Sequence, residues 1–535
     1  MDPNSAIPTD ASETSDLNTS TILAQFRSFE GNDAGPVLNL SAGFTSDQLS
    51  IVLNKLLDNE AAVPYAFYID QVELTGTGSL HQFFEQQNKE KEKQTEKGKS
   101  KNKVDSTNVS EQLVVIQYRP QALYRVKPVT RCSSDLVGHT EAVLMVQFSP
   151  DGSMLASCSG DTTVRFWDLH TETPLFTCKG HTNWVLCIAW SPDGSILASG
   201  SMDNTVRLWN PKTGMQIGRP LVGHKKWITS LAWEPYHLTN HGGVARNRKL
   251  ASSSKDGTVR VWDTNKQQCL YSIGGHTASV TSVLFMGTLP PQQHTSSESN
   301  NGGNKSGVES ILVTGSQDKT IKLWNSANGK LIKTLAGHAH WVNTLAISSG
   351  YVLRTGPYDP APPADSDDKE NIELNVALKK FNDITFNNKL PERLVSGSDD
   401  FTMFLWNPLN DKKPTARLLG HQKLVNHVCF SPDASYIASA SFDNTIKLWD
   451  GHTGKYLCSL FGHVAPVYQL AWSSDSRLLL SCSRDSTLKT WDVATRTLKG
   501  DLPGHRDEVY TVDWSPYGDK VASGGKDKVL KIWKN

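Results

Sequence analysis

The fold is decided by the stretch from Gly138 to Lys179, which reads GHTEAVLMVQFSPDGSMLASCSGDTTVRFWDLHTETPLFTCK. It contains four short runs rich in Val, Leu, Phe and Trp, which are VLMVQFS, MLASCS, TVRFWD and TPLFTC. Turn-forming pieces such as Pro-Asp-Gly and Gly-Asp-Thr separate these runs. Short apolar runs bounded by turn signals predict four β-strands joined by tight turns.

The same arrangement recurs eight times along the chain. Each unit contains a Gly-His pair, and its third run ends on a Trp that lies six residues after an Asp. The His and the Trp are 28 residues apart in five units and 38, 48 and 68 apart in the other three, which predicts insertions there. The eight sets are His139, Asp161, Trp167; His181, Asp203, Trp209; His224, Asp256, Trp262; His276, Asp318, Trp324; His338, Asp400, Trp406; His421, Asp443, Trp449; His463, Asp485, Trp491; and His505, Asp527, Trp533.

Four strands at a period of about 40–45 residues are typical of one propeller blade. The Gly-His and Trp-Asp pairs resemble the WD40 family, and the resemblance covers residues 126–535. It implies a mainly β chain with an eight-bladed WD40 β-propeller. The last unit stops one strand short at Asn535, whereas residues 129–136 supply one strand before the first Gly-His. We expect that strand to complete the last blade and to close the ring.

The repeated His and Asp, with a Ser such as Ser157 or Ser199, invite comparison with a catalytic triad. An active site is built once, whereas this set occurs eight times, so we interpret it as a structural hydrogen-bonded tetrad. The sequence contains no G-x-x-x-x-G-K-[ST], H-E-x-x-H or G-x-S-x-G motif and no C-x-x-C pair, so we expect neither an enzyme nor an intrinsic metal or cofactor. In the first two units the tetrad residues are His139, Asp161, Trp167, His181, Asp203 and Trp209.

Charge and hydropathy narrow the possible functions. Lys+Arg and Asp+Glu both number 54, so the chain has no overall basic field that would attract nucleic acid. No apolar run is long enough to span a membrane, and the polar N-terminus lacks a secretory signal. Residues 1–125 hold 11 basic and 17 acidic residues, and the remainder holds 43 and 37. This difference suggests that the two parts meet different partners.

A separate domain precedes the repeats. Residues 1–21 are polar, which predicts a disordered segment. Residues 22–125 predict two strands, a helix that begins at Thr45 or Ser46, and two further strands, with a Lys/Glu-rich loop at about 86–105. This order suits a small α+β ubiquitin-like (β-grasp) domain.

Several stretches resemble the Notchless family of ribosome-assembly proteins, from near Thr21 to the C-terminus. Among them are KPVTRCSS, GHTNWVLCIAWSPDG, GHKKWITSLAWEP, GHQKLVNHVCFSPD and DLPGHRDEVYTVDWSP. The resemblance implies a monomeric, non-catalytic assembly factor in the nucleus, nucleolus and nucleoplasm. It implies that the propeller docks on pre-60S particles, made of rRNA and ribosomal proteins, and that the MIDAS domain of the AAA ATPase midasin grips the ubiquitin-like domain. The family name also records a link to Notch signalling.

The resemblance also implies one ligand residue. In the family, a Glu just before the last strand of the ubiquitin-like domain completes the coordination of the Mg²⁺ in the midasin MIDAS site. The matching text is NVSEQL at residues 108–113, so Glu111 is the counterpart. A carboxylate oxygen is a ligand that Mg²⁺ prefers. Without the resemblance, Glu111 would read as an ordinary exposed residue at a strand start, and the loop at about 86–105 departs from the family pattern.

We expect the residues just after each Gly-His, and just before each tetrad Asp, to line one face of the ring. Three units have Trp at the third residue after His, where the others have Ala, Ser, Leu, Pro and Glu, so Trp is not needed to build a blade. Interleaved aromatic and basic groups favour binding of RNA or protein, and packing against the next blade is the structural alternative. The candidate rim residues are Trp184, Lys226, Trp227, His340, Trp341, Lys423, Arg484 and Lys526, with Asn183, Lys225, Lys255 and Phe442 in the same slots.

Two insertions remain. Residues 288–309 are rich in Ser, Asn and Gly and predict a flexible loop. Residues 353–392 include helical apolar spacing at Ile372, Val376, Leu378 and Phe381, and they either contact the particle or form a tolerated surface loop. The competing function is a generic WD40 adaptor or scaffold in Notch-linked signalling or ubiquitin ligation, although no F-box is evident.

Overall fold

The computed structural model describes residues 21–28, 35–41, 43–57, 65–69, 72–73, 80, 114–120, 126–241, 244–245, 248–287, 310–358, 369–385 and 391–535. The chain divides into two compact units, residues 1–125 and residues 126–535. Several predicted features lie outside the described residues, namely residues 1–20, the loop at about 86–105, Glu111 and the insertion 288–309.

The first unit contains a five-stranded mixed sheet and one helix. Its elements are β1 (Thr21–Ser28), β2 (Leu38–Ser41), α1 (Ser46–Leu56), β3 (Tyr65–Ile69), β4 (Val72–Glu73) and β5 (Val114–Pro120). The sheet order is β2-β1-β5-β3-β4, and the central strands β1 and β5 run parallel. The two-residue strand β4 was not predicted from the sequence. Assignment of this unit to the ubiquitin-like fold stays a prediction.

Helix α1 begins where the sequence places it. Thr45 is the N-cap, and its backbone N–H donates to the Gln48 side chain at 3.1 Å, which satisfies one of the free donors at the helix start. Leu49 and Leu53 lie one turn apart and are fully buried, and they belong to the same core as Phe26 of the sheet.

The second unit contains eight four-stranded antiparallel sheets within the described residues, and we number them as blades one to eight. Blade one comprises β7 (Val143–Phe148), β8 (Met154–Ser159), β9 (Val164–Asp168) and β10 (Thr173–Cys178), and blade two comprises β11 (Val185–Trp190), β12 (Leu197–Ser201), β13 (Thr205–Trp209) and β14 (Leu221–Val222). Blade three comprises β15 (Ile228–Trp233), β18 (Lys249–Ser254), β19 (Val259–Asp263) and β20 (Gln268–Ile273), and blade four comprises β21 (Val280–Met286), β22 (Ile311–Ser316), β23 (Thr320–Asn325) and β24 (Leu331–Ala336).

Blades five to eight follow the same plan. Blade five comprises β25 (Val342–Ile347), β26 (Leu394–Ser398), β27 (Met403–Trp406) and β28 (Ala416–Leu418), and blade six comprises β29 (Val425–Phe430), β30 (Tyr436–Ser441), β31 (Ile446–Asp450) and β32 (Tyr456–Leu460). Blade seven comprises β33 (Val467–Trp472), β34 (Leu478–Ser483), β35 (Thr487–Asp492) and β36 (Thr497–Pro503), and blade eight comprises β37 (Val509–Trp514), β38 (Lys520–Gly525), β39 (Val529–Lys534) and β6 (Arg131–Val137). Blade three also carries α2 (Tyr236–Thr239) and the hairpin β16 (Asn240–His241) and β17 (Val244–Ala245).

The ring closes through the strand that precedes the repeats. The first strands of successive blades contact one another in order, and β37 of blade eight returns to β7 of blade one. Blade eight is completed by β6, which pairs antiparallel with β39 in a register that places Arg131 opposite Lys534. The predicted closing strand was residues 129–136, and the observed strand is Arg131–Val137. The predicted mainly β fold with propeller sheets is confirmed.

The topology gives the ring two different faces. The Gly-His segments enter the first strand of each blade on the same side as the turn between its second and third strands, and we call this the rim face. The turns between first and second strands, such as the Pro-Asp-Gly turn after β7, lie on the opposite face. The described parts of the insertions in blades three and five, which lie between first and second strands, therefore belong to the face opposite the rim.

The insertion in blade five is longer and more ordered than predicted. It begins after Ile347, where β25 ends, and contains α3 (Gly350–Thr355) and α4 (Lys369–Thr385). The buried side chains of α4 include Ala377 and Phe381 at the i, i+4 spacing, whereas Val376 and Leu378 are partly exposed. Phe381 is buried because its ring stacks on His237 of blade three with centroids 4.7 Å apart. We call residues 350–358, 369–385 and 391–393 the strap.

The strap reaches blades on every side of the ring. Its Glu373 accepts a 2.9 Å hydrogen bond from Tyr236 of blade three, and its Arg354 pairs with Asp513 of blade eight. The strap also bonds to three further blades, through Tyr358 to Asp193 of blade two, Glu392 to Gly287 of blade four and Arg393 to Ala434 of blade six. A cavity of about 160 Å³ is lined by Tyr351, Thr355, Tyr358 and Lys380 of the strap and by Pro150, Ser474, Pro516 and Tyr517 of other blades. The strap is therefore a structural element of the ring.

The eight cysteines all lie in the described residues, and none forms a disulfide. Burial raises the pKa of the Cys187, Cys429 and Cys482 thiols to about 12, so these side chains pack as apolar groups and stay protonated. Among the helices that the structure describes, none is long and apolar enough to cross a membrane.

Candidate binding rim of the propeller

The tetrad residues are joined by hydrogen bonds in all eight blades. In blade two, His181 Nδ1 lies 2.7 Å from Asp203, His181 Nε2 lies 2.8 Å from Ser199 Oγ, and the Trp209 indole N–H donates to the same Oγ at 2.7 Å. A carboxylate only accepts and an indole only donates, so His181 donates from Nδ1 to Asp203 and Ser199 Oγ accepts from Trp209. Blade four replaces the serine with Thr314. The chain of bonds links the rim turns to the buried strands.

Each tetrad aspartate also holds a strained turn. In every blade the residue after the aspartate has a positive φ, between 64 and 82°. Gly257 occupies this position in blade three, but the other seven blades have larger residues such as Phe401, for which the left-handed conformation costs about 1 kcal/mol or more. The aspartate offsets the strain by accepting bonds from the turn, as Asp400 does from the Thr402 N–H at 2.9 Å.

We expect the ring to lose stability steeply in acid. Burial alone would raise the pKa of Asp256, but bonds from Thr258 and from the Lys225 N–H outweigh it and hold the pKa at about 2, and the other seven tetrad aspartates are also lowered. A lowered carboxyl pKa stabilises the fold above the unfolded pKa near 3.8, by about 2 kcal/mol for Asp256, and that stability disappears as the pH falls toward 2.

Urea unfolding followed by circular dichroism between pH 7 and pH 2 measures this effect. Asp256→Asn is the matched variant, because it should lower stability at pH 7 and flatten the acid limb of the curve. A midpoint that stays constant from pH 5 to pH 2.5 would contradict the prediction.

The three predicted rim tryptophans are half-exposed. Trp184, Trp227 and Trp341 expose 49, 40 and 43% of their surface, whereas the tetrad tryptophans are buried. The Trp184 ring lies over Gly160 of blade one, and the Lys255 ammonium sits 4.1 Å from the centre of the Trp227 ring. Each indole is therefore supported by the ring and still presents a large apolar surface to a partner.

The predicted basic residues fall into two groups. Within the described residues, Lys225, Lys226, Lys255 and Lys423 make no ion pair, and all four are exposed. The remaining cations are neutralised by ion pairs, which join Arg484 to Glu508 at 3.1 Å and Lys526 to Asp507 at 3.5 Å. The His340 ring lies 3.5 Å from the Asp399 carboxylate. The uncompensated positive charge of the predicted rim residues therefore lies on blades three and six.

Sequence analysis missed the acidic partners and an apolar outer edge. Glu508 occupies the same slot as the tryptophans, so alignment of the units could have shown that blade eight carries the opposite character there. Two residues before the tetrad histidines, four units place exposed apolar side chains, which are Val137, Val222, Leu419 and Phe461, with 57–72% of their surface exposed. Predicted Phe442 is half-buried against Tyr468, with ring centroids 5.9 Å apart.

The described residues contain no group of three or more His, Cys, Asp or Glu arranged to hold a metal ion. The arrangement of the rim face is suited to binding a macromolecule, because it combines flat aromatic surfaces with free cations across several blades.

Comparison with known families agrees with this architecture. Residues 22–84 match the NLE (NUC135) domain. Seven segments match the WD domain, G-beta repeat, and these are 130–168, 172–210, 215–263, 292–325, 412–450, 454–492 and 496–534. They leave out residues 326–411, which hold most of blade five and its strap. The fold, the rim and these matches together define the class of the protein, which is a WD-repeat propeller protein with an NLE domain at its N-terminal end.

Individual relatives extend over most of the chain. Protein Notchless of Drosophila melanogaster is 47% identical over 419 residues, which cover 77% of this chain and 75% of the relative. Notchless protein homolog of Arabidopsis thaliana is 49% identical over 441 residues, with 82 and 81% covered. Ribosome assembly protein 4 of Saccharomyces cerevisiae (strain ATCC 204508 / S288c) is 46% identical over 356 residues, with 65 and 64% covered. The chain belongs to the Notchless family.

A solved structure supports the propeller architecture independently. The crystal structure of the computationally designed Ika8 protein matches with a TM-score of 0.53 at 27% identity and covers 75% of this chain and 98% of the designed chain.

Proposed function

We propose that this chain is a non-catalytic assembly factor of the large (60S) ribosomal subunit, acting in the nucleolus and nucleoplasm. The name and 46% identity of Ribosome assembly protein 4 from S. cerevisiae support this function. Commitment of the eight His–Asp pairs to structural tetrads supports the non-catalytic role, since these repeated groups hold turns in place.

The propeller, in this proposal, docks on the pre-60S particle through its rim face. The observation that carries the proposal is the contrast between the faces. The rim face presents half-exposed Trp184, Trp227 and Trp341 beside unpaired lysines, whereas the strap occupies the opposite face. Aromatic anchors among cations are the groups that supply binding energy at both protein and RNA interfaces.

The N-terminal domain, in the same proposal, is the handle that the MIDAS domain of midasin grips. Glu111 is the residue that would fill the open position on the Mg²⁺ of that partner site, since a carboxylate oxygen suits this ion. The chain needs no metal of its own for this role. Midasin would then draw on the handle while the propeller stays on the particle, and the particle would be remodelled.

We expect Glu111→Gln to abolish Mg²⁺-dependent binding of the full chain to the isolated midasin MIDAS domain. The amide keeps the shape of the side chain and removes the charge, so a loss of at least about 100-fold in affinity is expected for a charged metal ligand. Biolayer interferometry with Mg²⁺ and with EDTA measures the effect.

Gln112→Ala is the matched control, because it changes the adjacent side chain and leaves the carboxylate in place. It should bind as the unmodified chain does. Equal affinity of Glu111→Gln and the unmodified chain in Mg²⁺, or binding that survives EDTA, contradicts the ligand role.

The ribosomal function itself is tested by affinity purification of the full chain from nuclear extract, followed by mass spectrometry and gradient sedimentation. Large-subunit precursors and midasin should be recovered together. Recovery of signalling or ubiquitin-ligase components without ribosomal precursors would favour the generic adaptor function instead.

A further inference from the structure

We propose that one sector of the rim face binds single-stranded RNA, by stacking bases on tryptophan and pairing phosphates with lysine. We call it the aromatic–lysine sector, and it lies on blades two and three. Its residues are Asn183, Trp184, Lys225, Lys226, Trp227 and Lys255. The inference rests on the proposed docking function and names the chemical class of partner at that site.

The tryptophans of the sector are placed to stack. Trp184 and Trp227 occupy equivalent slots in consecutive blades, and they immediately precede the first strands β11 and β15. Contact between these strands fixes the two blades side by side. Trp184 rests over Gly160 and Trp227 is flanked by Lys255, and 49 and 40% of their surface remain exposed. Successive aromatic surfaces on a rigid support can take successive unpaired bases.

The charges of the sector suit a polyanion. Lys225, Lys226 and Lys255 are exposed, and none has an ion-pair partner in the described part of the chain. The rim carboxylate of Asp256 already accepts bonds from the turn and from the Lys225 N–H at 2.8 Å. The Lys225 and Lys226 ammonium groups therefore remain free to meet phosphates, whereas the Lys255 ammonium lies over one face of the Trp227 ring. Each phosphate contact would release a counterion.

Comparison with the other side of the ring favours RNA over a protein partner. Blades seven and eight carry the same kinds of cation, but Glu508 and Asp507 neutralise Arg484 and Lys526. The cations at protein–protein interfaces are mainly Arg, and Lys is depleted there. In this sector all the cations are lysines, with Lys225 and Lys226 directly before Trp227 in the chain and the Lys255 ammonium over its ring. A combination of cations and aromatic rings is the pattern of single-stranded nucleic acid sites.

Fluorescence anisotropy of the full chain with labelled single-stranded oligouridine of about 12 nucleotides tests the proposal. Trp227→Ala should weaken binding roughly tenfold, and Trp227→Phe should retain most of it because the aromatic face is kept. Lys225→Ala with Lys226→Ala should reduce the slope of log affinity against log salt by about 1.4. The Trp227→Ala variant is expected to fold, because other blades have Ala or Ser in this slot.

Arg484→Ala with Lys526→Ala is the matched control. It removes two rim cations that are already ion-paired, so the affinity should change by less than about twofold. The slope of log affinity against log salt should stay the same. An equal loss in this control, or no binding of oligouridine at low salt, overturns the proposal. Displacement of the RNA by polyglutamate at equal charge concentration would also overturn it and assign the sector to an acidic protein segment.

The same variants separate this inference from the proposed function. Gradient sedimentation with pre-60S particles reports docking, and anisotropy reports RNA binding. If the chain sediments with the particles and does not bind oligouridine, the RNA inference is wrong and the proposed function stands. If the chain does not sediment with the particles, the proposed function is wrong whatever the anisotropy shows.

Discussion

A chain that begins at residue 126 is expected to fold into a closed ring, whereas one that begins at residue 138 is expected to lose the ring. The twelve residues between these starting points contain β6 and the buried side chains of Val126, Val129 and Leu136. Burial of three such side chains is worth roughly 5–9 kcal/mol, which is comparable with the whole stability of a domain. Their loss also exposes the edge of β39 to pairing with other chains.

Circular dichroism melts and size-exclusion chromatography measure the difference between the two chains. The longer chain should melt within a few degrees of the propeller transition of the full protein. The shorter chain should melt far lower or aggregate, and a synthetic peptide of residues 126–137 should restore it in trans. Equal melting temperatures for the two chains would show that β6 does not close the ring.

The segment ahead of β6 adds an anchor of its own. The Val126 N–H donates to Asp475 of blade seven at 2.9 Å, and the Thr130 N–H donates to the Lys534 carbonyl at 3.0 Å. If midasin draws on the N-terminal domain as proposed, the load enters the ring through this segment. Loss of the anchor would then uncouple the handle from the propeller, and in that proposal the closing strand would have a mechanical role as well as a structural one.

The repeat and its closure could be predicted because they depend on local spacing. Asp161 and Trp167 stand six residues apart, and the same offset in all eight units identifies the turn and the third strand without any tertiary information. The start of α1 was equally readable, because Thr45 and Gln48 form a cap within a single turn. A single sequence shows such patterns because the two residues of each pair lie close together along the chain.

The electrostatics of the rim could not be read in this way. Arg484 and Glu508 belong to different blades and are 24 residues apart, so their ion pair depends on how two blades meet. From the sequence, Arg484 and Lys255 occupy equivalent slots with the same charge, each directly before a tetrad Asp. The structure separates them, because Lys255 makes no ion pair in the described residues and Arg484 makes one. The position of a rim residue was predictable, and its net charge was not.

The strap shows the same limit over a longer range. Helical spacing predicted a helix near residues 370–383, and α4 is there, but its buried face is set by His237 of blade three. Arg354 and Asp513 are 159 residues apart, and no local pattern marks them as partners. The prediction of a particle contact or a loose surface loop therefore missed a role in holding the ring together.

Asp513→Ala is expected to destabilise the propeller by about 2–4 kcal/mol. Asp513 accepts from Arg354 Nη1 at 2.9 Å and from the Phe148 N–H of blade one at 2.8 Å, and its side chain is 10% exposed. The substitution leaves both donors without their acceptor, and an unsatisfied buried donor or an unpaired, partly buried charge carries a cost of this size. Arg354→Met should cost less, about 1–2 kcal/mol, because Asp513 keeps its backbone donors.

Lys528→Met is the matched control. It removes another ion pair between blades eight and one, with Glu141 at 3.5 Å, whose side chains are 49 and 57% exposed. An exposed pair of this kind contributes less than about 1 kcal/mol. Urea unfolding of the three single variants and of Arg354→Met with Asp513→Ala gives the coupling energy. If Asp513→Ala costs no more than Lys528→Met, the strap does not tie blade five to blade eight, and the ring depends on β6 alone for its closure.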